Sequence, residues 1–415
     1  MRFLWLTKDL PMKADTGAHL YSNGLLRALV ATGASGTLIT YSSAASATPI
    51  PNLNVMLVPH PRRFRALSLL SGMQSDAYVL SGASFARLVR DQMAESPDCI
   101  FLDYFAMGWL LPVIEAAQKD KARPALIVYV SHNYETAVRR QVARSMRSFF
   151  FRQVLKLDAE KAAKLDLKLA RSADLIVANT DEDRFAYEKD VPEKKVITVS
   201  PAYDGIIAPT RAIMEVTSRR VIIVGSFEWI AKSSSLKRFL SAAEEPFRRA
   251  GITVLVVGKV PNNLIKERFS KKDFCTFTGW VEDVRPYISD ARIGVVPDDV
   301  GGGFKHKLLY YIFAGLPVAA IRSQVAGLPV DVENDLITAH SADDLVRKIV
   351  ITIDDLAGLN GMRTRCWDQC AARYSWTERG KRLRGAIDPM LKLRLADRES
   401  RTPNAEHFSL GAGLS

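Results

Sequence analysis

Short apolar runs alternate with amphipathic stretches along almost the whole chain. The runs have strand length and are rich in Val, Ile, Leu and Phe, and the stretches between them carry apolar residues at helical spacing. This alternation is typical of parallel α/β sheets. The predicted strands are Phe3–Leu6, Gly36–Thr40, Val55–Val58, Cys99–Asp103, Leu126–Val130, Leu175–Ala178, Val196–Val199, Val221–Val224, Thr253–Val257, Thr276–Phe277, Ile293–Val296, Val318–Ile321 and Leu336–Thr338.

The alternation lapses between Asp204 and Arg219, a segment that contains Pro209. We predict a linker there, joining two Rossmann-like domains with doubly wound parallel sheets at residues 1–204 and 205–376. A C-terminal helix is predicted at residues 377–395, and the polar residues 396–415 are predicted to form a disordered tail. Two such domains leave a cleft between the carboxyl ends of their strands, where ligands of these sheets bind.

The composition is typical of a globular protein with an anionic partner. Of the 415 residues, 48% are hydrophobic and 25% are charged, and the formal net charge is +12. No apolar run is long enough to span a membrane, and the N-terminus meets a charge too early for a signal peptide, so we expect a cytoplasmic protein. No helix-turn-helix, RNP-like or zinc-finger signature accompanies the basic charge, so nucleic acid is not the expected partner.

Motifs for several common chemistries are absent. The four cysteines lack metal-binding spacing, and the pair Asp298–Asp299 is more typical of solvated loop carboxylates than of a metal site. The sequence contains no GxxxxGK[ST], no HExxH, no GxSxG, and no GxGxxG after the first strand. We therefore expect no metal at these residues and no P-loop ATPase activity.

The clearest candidate site follows the predicted strand Ile293–Val296. Three glycines, Gly301–Gly303, precede a short helix that carries Lys305, His306 and Lys307 at its start, and Gly315 ends that helix. A flexible turn before a helix N-terminus binds anions through free backbone N–H groups and the helix dipole, and lysines add charge suited to phosphate. The alternative is an ordinary turn whose lysines are solvated.

Four further loops should face the same cleft, because each follows a predicted strand of the parallel sheets. Gly17 and Gly225 permit close backbone approach to a ligand, and Lys232 could reach a diphosphate. His132 follows the strand Leu126–Val130 and could contact a substrate, although on spacing alone its ring could equally be satisfied by a neighbouring backbone group. Trp280 lies at a strand end where a nucleotide base could pack.

The basic charge is concentrated between Arg139 and Arg171, which contains ten basic and three acidic residues. Aromatic side chains lie among the arginines, a pattern that favours contact with an anionic membrane surface. The alternative is a solvated helix whose apolar stripe packs in the core. The residues predicted to contact the membrane are Arg139, Arg140, Arg144, Arg147, Phe149, Phe150, Phe151 and Arg152.

Taken in order, these segments resemble the GT-B fold retaining glycosyltransferases, specifically glycosyltransferase family four, whose members make bacterial polysaccharides and lipid-linked glycans. The resemblance extends from about Arg2 to Arg394, and its specificity lies in the order and spacing of the segments. They are Asp15–Ala18, Ser131–Glu135, Ala173–Thr180, Val224–Trp229, Phe277–Asp283, Gly302–Lys307 and Tyr374–Thr377.

The resemblance implies transfer of a sugar, with retention and without metal or cofactor, from a nucleotide diphosphate sugar held mainly by the second domain. The implied acceptor is a lipid-linked glycan or polysaccharide on the first domain, at the inner membrane face. Implied catalytic residues are His132, Lys232 and Lys307. Implied donor-binding residues are Gly17, Gly225, Ser226, Trp280, Gly303, Phe304, Lys305, His306, Leu308 and Tyr310. Implied acceptor-side residues are Asp15, Asn133 and Glu135.

Two positions depart from the family pattern. Tyr310 stands where an acidic residue usually binds the ribose hydroxyls, and Ser226 stands where an arginine is usual. These departures leave open a non-catalytic GT-B protein that binds a nucleotide or serves as a scaffold in a polysaccharide assembly complex. A sugar-nucleotide epimerase is a third alternative, although it offers no reason for the basic aromatic segment.

Overall fold

The computed structural model describes residues 1–13, 16–44, 48–146, 148–203, 205, 212–261, 263–270 and 273–399. The first domain contains a parallel sheet whose strands lie in the order β3-β2-β1-β4-β5-β6-β7. These strands are β1 (Arg2–Thr7), β2 (Ser35–Tyr41), β3 (Leu53–Val58), β4 (Cys99–Asp103), β5 (Leu126–Val130), β6 (Leu175–Ala178) and β7 (Lys195–Thr198). Its helices are α1 (Gly17–Ala31), α2 (Ser75–Leu80), α3 (Ala83–Ala94), α4 (Leu111–Gln118), α5 (Glu135–Ser145), α6 (Phe149–Ser172) and α7 (Asp181–Asp190).

The second domain repeats the plan, with strands in the order β10-β9-β8-β11-β12-β13. The strands are β8 (Arg220–Val224), β9 (Thr253–Val257), β10 (Cys275–Gly279), β11 (Ile293–Val296), β12 (Val318–Ile321) and β13 (Ile337–Ala339). The helices are α8 (Ile230–Ala250), α9 (Asn263–Ser270), α10 (Arg285–Ile288), α11 (His306–Phe313), α12 (Ala342–Thr352), α13 (Leu356–Cys370) and α14 (Trp376–Glu399). Short 3-10 helices cover Pro11–Lys13, Arg65–Leu70, Phe105–Leu110 and Arg322–Gln324.

The sheets form because their central strands are apolar on both faces. Every residue of β4, β5 and β11 is buried, as expected for parallel strands covered by helices on both sides. Each sheet therefore has two cores, one against each helical layer. The prediction of two doubly wound parallel sheets is confirmed, and the strand bounds differ from the predicted ones by at most two residues.

Helix α14 leaves the second domain and packs on the first. Its side chains Leu383 and Ile387 are buried in the core that contains Phe3 and Trp5. At its start, the ring of Trp376 lies so close to Gly24 of α1 that a Cβ there would overlap it, which explains the glycine. The helix runs to Glu399, past residue 396 where the tail was predicted to begin; the remaining tail positions, 400–415, lie outside the described residues.

Among the helices of the described residues, none is long and apolar enough to cross a bilayer. The predicted linker at residues 204–219 is only partly described, and its described part, Gly205 and residues 212–219, contains no helix or strand.

Candidate functional site

The carboxyl ends of the two sheets face each other, and the loops that follow β1, β4, β5, β8 and β11 meet between them. The domains touch here through Gln141, whose side chain donates to Asp299 O and accepts from Gly301 N, both at 3.3 Å. The glycine-rich turn is therefore anchored to α5 of the opposite domain. This places the predicted anion site at the domain interface.

Three lysines surround one buried carboxylate on the second-domain side. Asp298 follows β11, its side chain is 2% exposed, and it forms an ion pair with Lys307 in the first turn of α11. Lys305 immediately precedes α11, and Lys232 lies in the first turn of α8. The helix that was predicted to carry Lys305 thus starts one residue later, with Lys305 at its N-cap.

The charges in this cluster are strongly coupled. Burial raises the pKa of Asp298, but the neighbouring Lys307, Lys305 and Lys232 outweigh it, so the pKa is lowered overall. Burial lowers the pKa of Lys305 to about 8; Asp298 opposes this change, and the other two lysines add to it. Burial and the charge of Lys307 also lower the pKa of Lys232. The cluster is a desolvated site with excess positive charge, which an anion would stabilise.

The N-terminus of α1 approaches that of α11 from the other domain. A Cβ on Gly17 would lie 3.3 Å from Cδ2 of His306, so glycine allows the two helix starts to come together. Nε2 of His306 is buried and has no hydrogen-bond partner among the described residues. Burial, with a further contribution from His132, lowers the pKa of His306 to about 3, so its ring is neutral. Both helix dipoles direct positive potential toward this junction.

Gly303 packs against the loop that follows β5. Its φ of +68° is in the left-handed region, and a Cβ there would lie 2.5 Å from both His132 O and Asn133 Oδ1. Glycine is required on both counts. Asn179 Nδ2 donates to the same His132 carbonyl at 2.7 Å and holds it in place. The glycine-rich turn and the His132 loop are thus in direct contact.

His132 is held by a carboxylate that the sequence analysis missed. Its Nε2 lies 2.6 Å from Oδ1 of Asp103 at the end of β4, and Trp5 Nε1 donates to Oδ2 at 3.0 Å. Burial raises the pKa of Asp103, but the hydrogen bond and charge of His132 lower it overall, which keeps the carboxylate ionised. The next residue, Tyr104, has a φ of +93°, a strained conformation that is common at functional sites. The sequence feature that could have identified Asp103 is an acidic residue at the carboxyl end of an apolar strand.

Glu135 and Arg139 belong to an internal network. Glu135 is buried and accepts from Arg139 Nε at 2.8 Å and from Asn133 Nδ2 at 3.2 Å. Arg139 also donates to Asp76 Oδ2 at 2.6 Å, and its side chain is 21% exposed. The structure therefore corrects the prediction that Arg139 contacts a membrane: it is held by two carboxylates inside the first domain.

Other predicted donor-binding residues differ in how they are placed. Trp280 is 62% exposed after β10, and Ser226, after Gly225, donates to Glu228 Oε2 at 2.8 Å. The ring of Tyr310 packs edge-on against Tyr203 with centroids 5.5 Å apart. Tyr203 comes from the end of the first-domain segment, so Tyr310 lies close to the chain crossing between the domains.

Two predicted contacts are corrected by burial. Leu308 is fully buried in the core beneath α11, and its N–H donates to Lys305 O at 2.9 Å. Phe304 is likewise buried and packs against Tyr374. Both side chains hold the glycine-rich turn and α11 on the sheet and do not face the cleft.

The predicted membrane segment presents an exposed aromatic cluster at the start of α6. Phe149, Phe150 and Phe151 are 71%, 71% and 62% exposed, and Arg144 is exposed nearby in sequence. Arg152 is partly buried. Arg140 is exposed but pairs with Glu160 at 2.9 Å. Arg147 and the acceptor-side candidate Asp15 lie outside the described residues.

The acidic pair that was considered for metal binding is neutralised by cations instead. Asp299 accepts from Arg238 Nε at 2.6 Å and from Ser235, while Asp298 pairs with Lys307. A group of three or more His, Cys, Asp or Glu side chains suited to a metal ion does not occur among the residues described.

Comparisons with known proteins agree with this architecture. Residues 218–355 match the family model described as glycosyl transferases group 1. No curated protein matches the chain. Among solved structures, Anabaena Alr3699/HepE in complex with UDP and glucose has a TM-score of 0.68 at 12% identity, covering 94% of this chain and 100% of that one.

Two other similar structures share the fold at equally low identity. A mutant of TarM from S. aureus, in complex with Fondaparinux, alpha-GlcNAc-glycerol and UDP, has a TM-score of 0.66 at 9% identity, covering 93% of this chain and 99% of that one. The alpha,alpha-trehalose 6-phosphate synthase from Burkholderia multivorans has a TM-score of 0.64 at 12% identity, covering 94% and 99%. The domain match and the shared fold together support a glycosyltransferase with the GT-B fold.

Proposed function

We propose that the protein is a retaining, metal-independent glycosyltransferase of family four. It moves a sugar from a nucleotide diphosphate sugar to a lipid-linked or polysaccharide acceptor at the cytoplasmic membrane face. The observation that carries the proposal is the cluster of Lys232, Lys305 and Lys307 at two helix N-termini, directly opposite the His132–Asp103 pair. A nucleotide diphosphate supplies the negative charge that this cluster lacks.

The chemistry of the transfer requires stabilisation of the leaving group. As the bond between the sugar and the β-phosphate oxygen breaks, negative charge develops on that phosphate. Lys307, Lys232 and the N-terminus of α11 are already oriented and desolvated, so they can stabilise this charge without reorganisation. Gly17 brings the N-terminus of α1 to the same place. These groups favour the transition state over the bound substrate, which is what raises the rate.

His132 is assigned to the transferring sugar. Its imidazole is fixed by Asp103, and its backbone carbonyl lies against Gly303 of the glycine-rich turn from the other domain. A ring held on one nitrogen by an ionised carboxylate presents its remaining edge in one orientation. We assign Asn133 to the acceptor side of the same loop, with Glu135 orienting its amide.

Contact with an anionic membrane is supported by the surface of α6. The Phe149–Phe151 cluster projects from the first domain beside arginines of α5 and α6. Phe64 and Leu70 are also largely exposed. They lie on a segment that is joined to α6 by a hydrogen bond of 2.8 Å from Lys161 Nζ to Ser68 O. Aromatic rings at the lipid interface, combined with neighbouring cations, are the usual means of peripheral binding.

The experiment is a donor screen that measures release of nucleoside diphosphate from UDP-, GDP- and ADP-sugars, with a membrane lipid extract as acceptor. We expect release from one donor class only when the extract is present. Thermal shifts with the same donors address the alternative scaffold, which Tyr310 and Ser226 leave open. A folded protein that releases no diphosphate and is stabilised by none of the donors would rule out the proposal, and retained liposome binding would then favour the scaffold.

A further inference from the structure

Asp298 is a buried carboxylate with unusually poor hydrogen bonding. Lys307 lies in ion-pair contact with Oδ2, yet within the described residues neither oxygen accepts a hydrogen bond of ordinary geometry. A buried carboxylate is normally surrounded by donors, because leaving its oxygens without them is strongly unfavourable. The charges of the three lysines, and not a set of hydrogen-bond donors, are what stabilise the carboxylate here, so its role is best sought in the charge of the site.

The charge of Asp298 acts on all three lysines of the cluster. It opposes the lowering of the Lys305 and Lys232 pKa values that burial and mutual repulsion cause. It also holds the Lys307 ammonium at the start of α11. Asp298 therefore pairs directly with the ammonium group of Lys307 and acts through its charge on Lys305 and Lys232 before any ligand is present.

The net charge of this site matches a nucleotide diphosphate sugar better than it matches the nucleoside diphosphate that transfer releases. Three ammonium groups and one carboxylate leave two net positive charges at this site. A nucleotide diphosphate sugar carries two negative charges on its diphosphate. The nucleoside diphosphate released by transfer carries a third, because its terminal phosphate ionises with a second pKa of about 6. The site is thus balanced for the substrate and one positive charge short for the product.

We propose that Asp298 sets the charge of the donor site to match the nucleotide sugar and thereby promotes release of the nucleoside diphosphate. The inference rests on the proposed function, since it requires a sugar nucleotide at these lysines. Asp298 contacts Lys307 and not the substrate, so it is a positioning residue. Without it, three unopposed ammonium groups would hold the product most tightly, and product release would limit turnover.

The test compares the affinities of product and substrate in charge variants. Asp298→Asn removes the charge at nearly constant size, and Asp298→Glu is the control that retains it. Dissociation constants are measured by calorimetry at pH about 7.5 for UDP and UDP-glucose, and for the GDP–GDP-mannose and ADP–ADP-glucose pairs. In Asp298→Asn we expect preference for the diphosphate over its sugar ester to rise about tenfold or more, because the carboxylate no longer repels the extra negative charge of the product.

A purely structural role for Asp298 predicts a different result. Loss of Lys307 positioning would weaken both ligands alike and leave their affinity ratio unchanged, which would overturn the inference. The double variant Asp298→Asn/Lys305→Gln restores the original net charge and should return the ratio toward that of the wild type. If the single variant does not fold, Lys305→Gln alone lowers the net charge by one and should shift the ratio in the opposite direction, toward the sugar ester, and an unchanged ratio there would overturn the inference.

The outcomes separate this inference from the proposed function. If the wild-type protein binds neither member of any pair, the proposed function is wrong and the role of Asp298 is wrong with it. If the wild-type protein binds and turns over a donor, but the ratio is unchanged in the Asn variant, only the role of Asp298 is overturned.

Discussion

Oδ1 of Asp103 lies 2.6 Å from Nε2 of His132; Asp103 ends β4, and His132 lies in the loop after the adjacent parallel strand β5. The carboxylate is fully buried and also accepts from the indole of Trp5. This pair fixes the orientation of the imidazole that we assign to the transferring sugar. The second-domain lysines provide the opposite side of the same cleft.

Asp103→Asn should lower kcat/KM for the donor by about ten- to a hundredfold, because it replaces a charged hydrogen bond to His132 by a neutral one. Nucleotide-release kinetics measure the effect. Trp5→Phe is the matched control: it removes the indole donor to Asp103 while keeping the carboxylate beside His132, and should have a smaller effect on activity. Wild-type kinetics in the Asp103→Asn variant would show that the orientation of His132 by Asp103 does not contribute to catalysis.

Lys307→Ala should reduce kcat by about a hundredfold or more, since it removes a cation placed at the developing phosphate charge. Single-turnover release of the diphosphate from the preferred donor gives the rate. Lys237→Ala removes an exposed lysine from α8 and serves as the control that should leave the rate unchanged. Full activity in the Lys307 variant would exclude the assigned role.

Affinity for the nucleotide sugar should fall as the pH rises through about 8. Burial lowers the Lys305 pKa to about 8, so this lysine is charged below that pH and becomes neutral above it. The groups that act on it are Asp298, Lys232, Lys307 and Asp183. Because the ligand is anionic, it binds the protonated form better, and binding raises the pKa.

Calorimetric titration across pH 8 measures this dependence, and Lys305→Arg provides the comparison because an arginine stays charged throughout. We expect the arginine variant to show a flatter profile than the wild-type protein. Equal profiles for the two proteins would assign the pH dependence to another group.

Replacing Phe149, Phe150 and Phe151 together by Ser should weaken binding to vesicles containing anionic lipid by about tenfold or more, because each exposed ring contributes apolar burial at the interface. Cosedimentation at two salt concentrations separates this term from the charge of the neighbouring arginines. Phe185→Ser alters an equally exposed ring on α7 and should not change binding. Unchanged sedimentation of the triple variant would exclude α6 as the membrane contact.

The strands and the two-sheet architecture could be predicted because buried parallel strands appear as continuous apolar runs such as Leu126–Val130. The glycine-rich turn and its lysines were also recognisable, since glycine before a helix start is a local pattern. Contacts between residues that are distant in sequence could not be predicted. Asp103 and His132 are in contact only because β4 lies beside β5. Arg139 of α5 likewise donates to Asp76 of α2, a residue 63 positions away in sequence.

Burial also changed the interpretation of individual side chains. Asp298 was interpreted as a solvated loop carboxylate, yet it is enclosed beneath the lysines that follow it. Leu308 follows Lys307 in sequence but faces the core and not the cleft, because successive helical residues are about 100° apart. Sequence spacing identifies the segment that forms a site, whereas the sheet order determines which of its side chains meet.

The position of α14 has a consequence for biosynthesis. Leu383 and Ile387 complete a core that also contains Phe3 and Trp5, so β1 needs residues that are synthesised only after the whole second domain. The part of this apolar face that α14 covers therefore stays exposed while the second domain is synthesised, although α1 covers the rest. A chain that ends before residue 376 lacks this cover, and we expect it to aggregate more readily than one that includes α14.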